Sequence, residues 1–169
     1  MSDHSEKEKL DLLRGLTDQV FEDIKTEMKR LRLDRGKAAY RRPLDLLEAA
    51  YLAIQYPSSA QGGASSALLA LRGCIECSLE ELARKSPAQQ KGEKRRDRVL
   101  SIGLHCGRKG LALAHFDTLA AVDESVNHEL SGKGNPAAPE RPDLAKQFLR
   151  GAQFLRALLA SVDEALLKP

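Results

Sequence analysis

Apolar residues return along this chain at spacings of three and four, with polar residues filling the positions between them. The sharpest case is SSALLALRGCIECSLEELAR, residues 65–84, where Leu68, Leu71, Ile75, Leu79 and Leu82 share one helix face. Arg72, Glu76, Glu80 and Arg84 recur every four residues on an adjacent face, with opposite charges at i,i+4. One side of this helix therefore belongs in a core and the other carries an ordered polar row.

Five other segments read in the same way. Leu10, Leu13, Leu16, Val20, Ile24, Met28 and Leu31 predict a long helix over 5–33, opened by a capping box of Ser5 and Glu8. Pro43 suits the first turn of a second helix, whose stripe is Leu44, Leu47, Tyr51 and Ile54 and which Tyr56 and Pro57 end. After the third helix (65–85), a fourth runs over 93–106 with Val99, Ile102 and Cys106 inward. A fifth, 111–130, turns Phe116, Leu119, Val122 and Val126 inward and stops at the SGKG of 131–134. The stretch 135–142, NPAAPERP, holds three prolines and reads as an extended connection. The sixth helix, 142–167, has the stripe Leu144, Phe148, Gly151, Leu155, Leu158 and Val162, and its small Gly151 permits a close helix–helix approach. No period-two run is bounded by turn signals. The expectation is all-α: a single domain over 1–169, a bundle of five to six helices without a sheet.

The first helix is long, and its stripe exceeds what shorter helices readily cover. Leu13, Val20, Ile24 and Leu31 are therefore expected at an interface with a protein partner or a second copy, and the first and sixth helices, the longest, are expected to pair with each other or with a second copy. Composition agrees with packed helices, since hydrophobic residues reach 42% while aromatics supply only 4%. Every apolar run falls short of the roughly 20 residues of a membrane span. The start, MSDHSEKEKLD, has no apolar signal region. A cytoplasmic location without membrane contact is expected.

The net charge is only +3, yet the cations are gathered. Lys91, Lys94, Arg95 and Arg96 lie in KGEKRRDR, and Arg108 stands beside Lys109. Such clusters are compatible with phosphate contact, which makes nucleic acid a second candidate partner, although no aromatics are interleaved to stack on bases.

Candidate chemistry is sparse. Cys74, Cys77, His105 and Cys106 are zinc-ligating types. The cysteine pair lies mid-helix, however, where small buried thiols are ordinary, and no metal site is assigned. The SGKG run follows a helix and not a strand, so it reads as a helix stop and no cofactor is expected. Asp117, Glu124 and His128 share a face of the fifth helix and read as a solvated row.

Arg98 and His105 remain, two turns apart on one face of the fourth helix. A histidine that moves protons and a guanidinium that stabilises phosphorane charge suffice for metal-independent RNA cleavage. RVLSIGLH at 98–105, together with Leu71, Arg72, Ile75 and Glu76, resembles the HEPN family over 44–130. Active members of these helical bundles carry Arg, four to six residues, then His; here there are six. The resemblance implies a ribonuclease, a toxin or effector of bacterial defence or a toxin–antitoxin pair, with Arg98 and His105 catalytic. Val99 stands where active members carry a polar residue, and Ile102 makes the intervening face partly apolar. The residues therefore favour a non-catalytic assembly or regulatory subunit that binds a protein partner, with the ribonuclease as the alternative.

Overall fold

The computed structural model describes residues 2–33, 42–55, 62–87, 94–130 and 141–169, and the period of 3.6 is realised throughout them. The helices are α1 (Ser2–Arg30), α2 (Pro43–Gln55), α3 (Gly62–Lys85), α4 (Arg95–Cys106), α5 (Leu113–Leu130) and α6 (Arg141–Ala160), followed by a 3-10 turn at Glu164–Leu166. Among the described residues there is no strand, only an isolated antiparallel bridge between Gly107 and Val162. The fold is an all-α bundle. Among the described residues no helix is long and apolar enough to cross a membrane. Lys91, the SGKG run and residues 135–140 of the Pro-rich connection lie outside the described residues.

α3 is the axis of the bundle. Leu71, Cys74, Ile75, Ser78, Leu79 and Leu82 are all fully buried, because α2, α4, α5 and α6 each pack on it. α2 lies along α3 with Leu46 against Gly73. α4 and α5 form an antiparallel hairpin in which the Phe116 ring lies on Gly103, where a Cβ would come within 2.1 Å of Phe116 Cγ. Gly151 brings α6 onto α3 and α5, since a Cβ there would stand 2.9 Å from Leu71 Cδ2 and 3.3 Å from Leu130 Cδ1.

The expected interface on the first helix is overturned. Val20, Ile24 and Leu31 are buried in the chain's own core and Leu13 is partly buried against it. The reason is α6, which runs parallel to α1 and covers the stripe, with Arg156 on Asp23 at 3.2 Å and Arg30 at the far end of α6. α1 also begins at Ser2, before the capping box, because one cap is worth about 1 kcal/mol and does not stop a helix. Leu16, expected on the inner stripe, is exposed.

α6 ends at Ala160, well short of 167. There the Ser161 hydroxyl donates back to the Ala157 carbonyl, at 2.7 Å. The bridge takes over, with Arg108 N–H donating to Ser161 O at 2.9 Å and Asp163 N–H to Cys106 O at 2.8 Å. Arg30 then caps the helix by donating to Leu159 O at 2.8 Å and Val162 O at 2.9 Å. Carbonyls left over at a helix end need such partners.

Candidate functional site

The polar row of α3 meets the start of α4 and the middle of α5 in a network of charges. Asp123 of α5 has no exposed surface. Arg95, in the first turn of α4, grips it with both forks: Nε to Oδ2 at 2.7 Å and Nη2 to Oδ1 at 2.8 Å. Arg95 Nη1 also donates to Glu76 Oε2 at 2.7 Å and to Asn127 Oδ1 at 3.2 Å. Arg72 Nε donates to the same Asn127 oxygen at 3.0 Å, and Arg98 Nη1 reaches Glu76 Oε1 at 3.4 Å. Charge-assisted, bidentate pairs of this kind are the strong ones, and they pin α4 to both neighbours. Burial pushes the Asp123 carboxyl above the usual carboxylate range, and the Arg95 guanidinium pulls it part of the way back.

Arg95 is therefore not a surface cation open to nucleic acid, as its place in the basic run suggested. Its side chain is only 19% exposed and bonded within the fold. Arg96, beside it, is exposed and pairs with Asp117 of α5 at 2.9 Å. Lys94, Arg108 and Lys109 are exposed, the last two in the turn between α4 and α5. The six residues grouped as a phosphate surface thus belong to different places, and Arg95 belongs to the interior.

Arg98 and His105 are both half-buried, two turns apart on one flank of α4, and Arg98 reaches Glu76 of α3. Seven residues of helix separate them by about 10 Å along the axis.

Cys74 and Cys106 do not meet. Cys74 Sγ lies 3.3 Å from Pro43 O, against α2. Cys106 is hydrogen-bonded to Ser86, which follows α3 twelve residues beyond Cys74, about 18 Å along a helix. Burial pushes all three thiols up, which disfavours their thiolate forms.

Asp123 was missed by the sequence reading, and Val122, chosen in its place, is exposed. A signal was present. Phe116, Leu119, Asp123, Val126 and Leu130 follow spacings of three and four, so the aspartate occupies a core position of the stripe and demands a buried partner. The partner itself, 28 residues away, had no local signal.

A second cluster of exposed residues lies where α4 turns into α5. Leu104 is 66% exposed, Leu111 40% and Leu113 54%, and Arg108 and Lys109 sit between them. Comparison with known proteins adds no relative: no family model, no curated protein and no solved structure matches the chain.

Proposed function

We propose that this chain is a non-catalytic helical assembly or regulatory subunit, cytoplasmic, that binds a protein partner through the turn between α4 and α5. The observation that carries the reading is the apolar, basic tip just described: three exposed leucines around two exposed cations. Apolar area flanked by charge marks interaction sites, and its sign fits an acidic partner segment or an acidic face of a second copy. The network around Arg95 serves as the rigid base that holds α4 and α5 in place beneath that tip. Most of its donors are spent inside the fold, which leaves little for chemistry.

The test is a Leu104→Asp, Leu113→Ser variant. Both side chains are exposed, so melting temperature should stay close to wild type while partner capture by photo-crosslinking at Arg108, or self-association by sedimentation, is lost. A variant that still crosslinks to the same protein, or still sediments as the same oligomer, sinks this surface.

The second reading is a HEPN-type, metal-independent ribonuclease, and the half-buried Arg98 and His105 on one flank of α4 support it. It requires Arg98 to leave Glu76 for the substrate. RNA cleavage by purified wild type that disappears in His105→Ala, with the fold intact, would replace the first reading with this one.

A further inference from the structure

The C-terminal ends of α1 and α3 and the segment 164–169 that follows α6 come together around a cavity of about 450 Å³, within the range of small-molecule sites. Arg30, Arg32, Lys85 and Lys168 line it, with Glu164 as the only carboxylate side chain among its lining residues. The two helix ends with their negative dipoles account for part of this charge. Arg30 caps α6 as described and is held by Glu164 at 2.9 Å. Lys85 is buried and donates to Leu31 O at 3.2 Å and Arg32 O at 2.9 Å, which caps α1.

Arg32 and Lys168 are different. Both are exposed, and Arg32 occupies the left-handed position that ends α1, with φ at 59°. The motif is complete: Arg32 N–H donates to Lys29 O at 3.2 Å and Leu33 N–H to Met28 O at 2.8 Å. Glycine is the natural occupant of that position, because an L side chain is strained there. A cation is kept at a conformational cost, beside a cavity whose lining holds three further cationic side chains, Arg30, Lys85 and Lys168, and the carboxylate of Glu164. A strained residue at a pocket points to use in binding.

We propose that this cavity binds a compact polyanion of the phosphate class, with Arg32 and Lys168 closing on it and Arg30 and Lys85 forming a positive floor. The site is separate from the α4–α5 tip and independent of the partner-binding reading.

Sodium pyrophosphate, titrated at low ionic strength into the 15N-labelled full chain, should shift the amides of Arg32, Ala165 and Lys168. Arg32→Gly and Lys168→Gln should each weaken binding about tenfold or more, the loss expected for one charge-assisted bond. Arg32→Gly should melt at the same temperature as wild type or higher, since glycine removes the backbone strain. A purely structural Arg32 would give the opposite pattern, a lower melting temperature and unchanged binding, and would overturn the assignment. So would pyrophosphate shifts elsewhere, or none. A short single-stranded oligonucleotide in parallel separates the two sources of phosphate. Binding that pyrophosphate displaces, and that both variants weaken, identifies a strand's phosphate; binding of pyrophosphate alone identifies a free small anion.

Discussion

Replacing Arg95 by Met tests the central ion pair most severely, because the two partners are buried to different depths. Asp123 is wholly enclosed, and Arg95 is its only ion-pair partner among the described residues. Arg95 has Glu76 and Asn127 besides, and part of its side chain reaches water. Arg95→Met therefore strands a buried carboxylate, a loss of about 3–5 kcal/mol, whereas Asp123→Asn leaves a cation with other acceptors and costs about 1–2 kcal/mol. The asymmetry carries a pH signature. Burial alone raises the Asp123 carboxyl, and removing Arg95 takes away the pull that opposes it. A carboxyl whose folded pKa lies above its unfolded value favours folding below the unfolded value, and loses that contribution as pH rises through the folded one. The Arg95→Met penalty should thus be small near pH 4, where the stranded carboxyl is neutral, and grow toward pH 7. Urea denaturation of wild type and both variants at the two pH values measures this. Equal penalties at both, or a larger loss for Asp123→Asn, would refute the assignment of Asp123 as the buried, dependent partner. An Arg95→Met, Asp123→Leu double variant should recover most of the loss, since apolar replacement of a buried pair is often close to neutral.

Two further outcomes follow from packing. Gly103→Ala drives a methyl into the Phe116 ring, which is rigid and enclosed, and should cost about 1–3 kcal/mol or more by thermal melting; an unchanged melting temperature would mean the α4–α5 hairpin packs more loosely than this. Ile24→Asp should lose helical circular dichroism altogether, because Ile24 is covered by α6; a folded variant that merely changes its oligomeric state would restore the first helix as an interface.

The helices were legible in the sequence because the signal is local. The row of Leu68, Leu71, Ile75, Leu79 and Leu82 needs only a window of about four turns to be read, and each of these residues is buried. Gly151 was legible for the same reason: a small residue in an apolar stripe implies close approach, whichever helix approaches. Boundaries were less so, since α6 stops where the strand-like bridge and Arg30 claim its last carbonyls, from residues far away in the chain.

The all-α class, the number and placement of the helices, and the residues of α3 and α6 that face inward can all be read from the periodicity of the chain. Between the two covers open for the first helix, the sixth helix or a second copy, the packing chose the sixth, and it also set which charges meet. α6 lies on α1, so Val20 and Ile24 are core and not interface. Arg95 looks like one cation among several in KGEKRRDR until α5 sets Asp123 opposite it. Helical periodicity arises from bonds four residues apart, and any short window of the chain contains it. An ion pair depends on the relative placement of two helices, which the packing of the whole core selects.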